Sequence, residues 1–142
     1  MSSSDAVNWQ PINQMPLIAS MIDGALSDTK DHLQTLTAAQ AQPHVLDDAT
    51  VGRSVRVHTE QLEFVDIYDR QLQRWQAERP SAAQKRELDR LEKQNRCLRE
   101  VTMDVLATAG ELRKGTINRI IAKSDLELGL AALLGQHRTR RP

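Results

Sequence analysis

Apolar residues recur at intervals of three and four through most of this chain, and the recurrence stops at a few sharply marked points. Met15, Ile18, Ile22, Ala25, Thr29, Leu33 and Leu36 keep that spacing, which places them on one face of a helix and predicts a first helix over about 13–41. Asn13 is placed to cap it. Pro16 is tolerated in the first turn, where the amide hydrogens have no intrahelical partner. In "QAQPHVLDDATV", Pro43 disfavours helix at Gln42, and Asp47 or Asp48 can cap the next helix while complementing its dipole.

A second helix is therefore expected over about 48–79. Val51, Val55, His58, Leu62, Val65, Asp69 and Leu72 keep a seven-residue repeat there, and a second stripe of Val57, Gln61, Phe64, Tyr68, Gln71 and Trp75 runs beside it. Two adjacent stripes imply contact with more than one neighbour, as for the middle helix of a bundle. "ERPSAAQKRE" punctuates the chain next: Pro80 comes just after the helix end, and Ser81 with Gln84 forms a capping box for a third helix over about 81–114. Its repeat, Gln84, Leu88, Leu91, Asn95, Leu98, Thr102, Val105, Ala109 and Leu112, keeps heptad register throughout.

"RKGT" carries the features of a helix stop, with basic residues in the last turn and Gly115 placed for a left-handed cap. Two short helices are expected after it. Thr116 opens one over 116–123 bearing Ile117, Ile120 and Ile121, and Ser124 with Glu127 makes a second capping box for one over 125–134, closed by Gly135. Leu126, Leu130, Leu133 and Leu134 share a face of this last helix, which reads as a strap lying on the second and third helices or on a dimer mate. Residues 1–12 show no periodicity and read as a mobile arm with Trp9 as its sticky group, and 136–142 as a frayed basic tail.

The pattern thus predicts an all-α fold, an elongated antiparallel three-helix bundle with two short C-terminal helices, forming one domain over 13–135. Helices of this length run to ~45 Å, and so thin a bundle leaves apolar stripes uncovered unless a second copy covers them. A homodimer is expected.

Composition sharpens this reading. At 142 residues the chain fits one domain, and aromatic residues make up only 3%, as in long helices rather than sheets. Nineteen basic residues balance nineteen acidic ones, but unevenly: residues 1–80 carry 6 Lys and Arg against 11 Asp and Glu, and residues 81–142 carry 13 against 8. Such a bipolar chain can pair its own helices or two copies head to tail. Cys97 is the single cysteine, so neither an intramolecular disulfide nor a cysteine zinc site is available and a reducing cytoplasm is the expected home. The uncharged run "LGLAALLGQH" is far shorter than the ~20 apolar residues of a membrane-spanning helix.

Candidate chemistry is sparse. Phosphate-loop, dinucleotide, nucleophile-elbow and zincin signatures are absent from the sequence, as is the Glu-x-x-His of di-iron bundles. Asp28 with His32, and His58 near Glu60, are the arrangements that resemble metal ligands. A lone histidine on an apolar face is more often a hydrogen-bonded core residue, so no metal and no cofactor are expected. Glu60, Glu63 and Asp66 read as a solvated face, whereas Asp69 falls in the apolar register and, with Asn95 and Thr102, forms a candidate polar layer that sets helix alignment. Lys85, Arg86, Arg90, Lys93, Arg96 and Arg99 interleave with acids four residues away and largely neutralise themselves. Phe64, Tyr68 and Trp75 are the aromatic interface candidates.

The function expected is that of a non-enzymatic helical protein–protein interaction module, an adaptor, chaperone-like partner or assembly subunit that also pairs with itself. A small nucleic-acid-associated or regulatory protein using the basic C-terminal half is the alternative, resting on Arg138, Arg140 and Arg141.

Overall fold

The structure, a computed structural model, describes residues 7–42 and 46–139, and beyond Gly115 the side chains at 121, 125, 126, 128–130 and 133. A 3-10 turn, Ile12–Gln14, leads into α1, Met15–Ala41; α2 spans Asp48–Ala77 and α3 spans Ala82–Thr139. The described residues contain helix and no strand. Consecutive helices reverse direction through short links, giving the expected three-helix arrangement.

Local chemistry explains the starts. The amide of Gln14 donates to Pro11 O (2.9 Å), so the chain tightens into the 3-10 turn and α1 begins at Met15 rather than at Asn13. Asp47 caps α2, its carboxylate accepting from the amide of Thr50 at 2.7 Å, which satisfies one of the amides left open at a helix start. At α3 the capping box closes reciprocally: the Gln84 amide donates to Ser81 Oγ (3.1 Å) and the Ser81 amide to Gln84 Oε1 (2.8 Å).

The shared helix is α3, not α2. Every heptad position of α3 from Leu88 to Ala109 is buried, and α3 packs closely on both α1 and α2, whose backbones stay farther from each other. The second stripe on α2 did not make it the middle helix because that stripe is covered at only one end: Tyr68, Gln71 and Trp75 are buried while Val57 and Phe64 are exposed. Two contiguous clusters form the core. Met15, Ile18, Ile22, Leu72, Trp75 and Leu91 belong to the larger, and Leu36, Val51, Val105 and Ala109 make the smaller, beside the α1–α2 link. Each fully buried Leu stabilises the fold by about 1.5–3 kcal/mol, and Leu36, Leu72, Leu88, Leu91 and Leu98 are all at 0% exposure.

The two short C-terminal helices are replaced by a continuation of α3. Gly115 has no left-handed φ, and a Cβ there would meet nothing within 4 Å. Glycine permits a left-handed stop without imposing one, and within a helix it costs only about 1 kcal/mol relative to alanine. No proline comes after it before residue 142. The Ser124–Glu127 box and Leu134 lie outside the described side chains, as Pro43 and residues 1–6 and 140–142 lie outside the described residues. Past Leu112, where the core ends, α3 runs on to Thr139, ~40 Å of helix at 1.5 Å per residue. Leu126, Leu130 and Leu133 are 65%, 53% and 65% exposed on this projection, so the expected strap does not lie on its own bundle.

The inner half of the expected mobile arm is docked. The amide of Gln10 donates to Gln71 Oε1 (2.7 Å), and the buried Trp75 indole N–H donates to Gln10 O (2.9 Å). Arg70 and Arg74 lie over the Trp9 ring, the Arg74 guanidinium 4.8 Å from its centroid, as cation–π pairs.

Candidate functional site

Because α1 and α2 both lean on α3, an open seam runs between them on the side away from α3. Polar side chains bridge its depth at three levels. Nearest the α1–α2 link, His32 Nε2 lies 2.7 Å from Ser54 Oγ, and the His32 and His58 rings stack with centroids 4.9 Å apart and planes 10° from parallel. His58 Nδ1 donates to Ser54 O (2.7 Å), which fixes its proton on Nδ1. Burial is the main reason that His32 loses basicity, and the neighbouring His58 adds to it.

Midway, the Gln61 amide donates to Thr29 Oγ1 (2.9 Å) and to Thr102 Oγ1 (2.8 Å). Each hydroxyl in turn donates to the carbonyl four residues back, Thr29 to Ala25 and Thr102 to Leu98. One side chain from each helix is thereby satisfied, and their relative alignment is pinned. At the far end stand Gln10, Gln71 and Trp75.

Between the middle and far levels the seam widens into a cavity of about 440 Å³ walled by Leu17, Met21, Phe64, Ile67, Tyr68 and the arm around Trp9. A smaller hollow of about 200 Å³ continues it past Ala25, Val57 and Glu60, with Phe64 and Tyr68 common to both. The walls are apolar and open: Leu17 is 52% exposed, Met21 42%, Val57 54% and Phe64 52%. Four large apolar side chains left in water side by side are the kind of patch that marks a contact site.

The aromatic interface candidates therefore separate. Phe64 stands on the wall, Tyr68 forms the floor at 8% exposure, and Trp75 is wholly buried in the core. Leu126, Leu130 and Leu133 lie on the projection, remote from the seam of their own chain. Leu17 and Met21 were missed by the sequence reading, which stopped at the stripe through Met15, Ile18 and Ile22. Their spacing of four, running on to Ala25 and Asp28 along the same helix face, was the available signal.

The polar-layer candidates also divide. Asn95 Nδ2 donates to Asp69 Oδ1 (2.7 Å) and to Val65 O (3.0 Å), and Arg99 joins Asp69 at 2.8 Å and Asp66 at 2.6 Å. Thr102 belongs instead with Gln61 and Thr29. Asn95 is buried completely, and its Oδ1 has no hydrogen-bond partner.

Ser54 and His32 have the spacing of a nucleophile and its base, but Ser54 is 5% exposed within α2 and acts as a joint between two helices. Among the described residues no three His, Cys, Asp or Glu side chains converge as a metal site, and no helix is long and apolar enough to cross a membrane. Comparison with known proteins gave no match: no family model fits the sequence, and no curated protein and no solved structure resembles it significantly.

Proposed function

We propose that this chain is a non-enzymatic helical interaction module, an adaptor, chaperone-like partner or assembly subunit that receives a helix in its α1–α2 seam and associates with itself in the cytoplasm. The observation that carries this reading is the open apolar seam, with Leu17, Met21, Val57 and Phe64 exposed along it. Three helices around such a seam are one short of a four-helix bundle, and an amphipathic helix laid along it would bury its apolar stripe against these walls. The chemistry favoured is a helix with apolar anchors at i, i+4 and i+7 and basic flanks, because Glu60 lines the seam.

Nucleic-acid association through the projecting half of α3 is the alternative, favoured by the basic residues there. It gains little from the bundle, since Arg90 is held by Asp23 at 2.9 Å and Arg99 by Asp66 and Asp69, and phosphate contact leaves the exposed leucines without a role.

Affinity capture from the native host, beside light scattering of the pure chain, tests the proposal. The wild-type chain recovers a specific partner or forms an oligomer, and Phe64→Asp abolishes that association while keeping its helical content. A chain that stays monomeric at tens of micromolar and captures nothing contradicts it.

A further inference from the structure

We infer that the cavity between the middle and far levels of the seam is a binding site for a small amphipathic carboxylate. Its apolar body lies among Leu17, Met21, Phe64 and Ile67, and its anionic head accepts hydrogen bonds from Tyr68 and Gln71. This goes beyond the helix-receiving role of the seam and does not depend on it.

The floor of the cavity holds the decisive groups. Tyr68 and Gln71 stand one turn apart on the same face of α2, and both line the hollow. Both are buried, yet each keeps a donor that the bundle does not use. Gln71 Oε1 accepts from the Gln10 amide at 2.7 Å, while its Nε2 hydrogens, like the Tyr68 hydroxyl, meet no acceptor among the described residues. Asn95 Oδ1 is the one fully enclosed side-chain polar atom without a partner among those residues, so the two donors on α2 are not sealed in protein and open on the cavity they line. An apolar hollow ending on two unused donors suits a ligand with an apolar body and an acceptor at one end. Leucine or phenylalanine anchors of an incoming helix would desolvate both donors without pairing them.

Charge selects an anionic head. None of the residues that line the cavity is charged. The guanidiniums of Arg70 and Arg74 lie over the Trp9 indole, 5.7 and 4.8 Å from its centroid, and that indole walls the cavity. Neither arginine pairs with a carboxylate among the described residues, in contrast to Arg90 and Arg99. The field at this end of the seam therefore favours a negative group, and hydrogen bonds to an ionised acceptor are the stronger ones. Burial raises Tyr68 above its ordinary value, which keeps its hydroxyl protonated as a donor at neutral pH.

Size sets the rest. At about 440 Å³ the cavity falls in the lower part of the ~300–1,000 Å³ span of small-ligand sites, room for a single acyl chain or ring system.

Decanoate tests the assignment, with decylamine as the same chain carrying the opposite charge. Calorimetric titration at neutral pH, below the micellar range, should show one decanoate taken up per chain, with about tenfold or more lower affinity for the amine. Met21→Trp fills the hollow from its exposed wall and should abolish uptake. Tyr68→Phe keeps the ring and removes the donor; it should weaken decanoate binding about tenfold, the worth of one hydrogen bond to a charged group, with an unchanged thermal melt. No saturable uptake, equal affinity for the amine, or a Tyr68→Phe chain that melts and binds as the wild type does, overturns the inference. Should Tyr68→Phe lower the melt, Met21→Trp carries the test alone, and uptake that survives the filled hollow overturns it as well. These titrations read neither self-association nor partner capture, so their failure leaves the helix-receiving reading of the seam standing.

Discussion

Asn95 shows how one residue can trade stability for alignment. Its amide nitrogen ties α3 to Asp69 and to the Val65 carbonyl of α2, while its carbonyl oxygen is buried with nothing to accept from. An orphaned buried acceptor costs about 1–3 kcal/mol. Asn95→Leu removes the orphan and adds apolar contact while Asp69 keeps Arg99, so the variant should be more stable by about that amount in urea melts. A destabilised variant would mean that the Asp69–Asn95 link is worth more than the orphan costs. The sequence marked Asn95, Asp69 and Thr102 as polar residues in apolar register, but not that Thr102 would find Gln61 and Thr29. Heptad position says which residues face inward, and says nothing of which inward neighbour a flexible amide will reach.

His32 yields a pH prediction. Burial, reinforced by His58, holds it below its ordinary value of 6.5, so below that pH the unfolded chain takes up a proton that the folded chain resists. The corresponding stability is therefore present above pH 6.5 and is lost progressively as the pH falls from there through the lower value of folded His32. Carboxylates such as Asp23 titrate in a separate window, below about pH 4. Melting temperature tracked from pH 8 to pH 5 should fall in the wild type and stay nearly flat in His32→Gln, which can still accept from Ser54. An equal slope in both would remove His32 as the cause. Both histidines were read from sequence as isolated; their stacking came from the relative rotation of α1 and α2, which periodicity does not contain.

At the level of elements, starts were more legible than stops. The caps at Asp47 and at Ser81 with Gln84 arise from short-range hydrogen bonding that any sequence carrying them can make, and the heptads of α3 run as read from Leu88 to Ala109. Stops depend on what the chain would gain by turning. Gly115 and Ser124 offer the chemistry of a break, yet the helix continues, and none of the side chains described beyond Gly115 packs back on to the bundle. The end of α2 is the converse case. Arg79 takes a left-handed φ of 54° without being glycine, between the last turn and Pro80. That conformation costs an L-residue about 1–2 kcal/mol, part of which glycine repays through its greater freedom when unfolded. Arg79→Gly should accordingly stabilise the protein by up to about 1 kcal/mol in thermal unfolding; a loss of stability would mean that the Arg79 side chain contributes more than its backbone strain.

On the scale of the whole molecule, the sequence foretold an all-helical, thin bundle with uncovered stripes, and the structure locates those stripes in two places. One is the seam, between helices that share α3 rather than each other. The other is a projection whose length was hidden by plausible stop signals. Neither is covered within one chain.

The measurement that tests the proposed self-association most directly is sedimentation equilibrium of the full chain beside a chain ending at Lys114. The shortened chain retains every residue of both core clusters, so it folds with nearly the same melt. A dimer is expected for the full chain and a folded monomer for the shortened one. A full-length chain that remains monomeric at tens of micromolar, or a shortened chain that dimerises equally well, would contradict it.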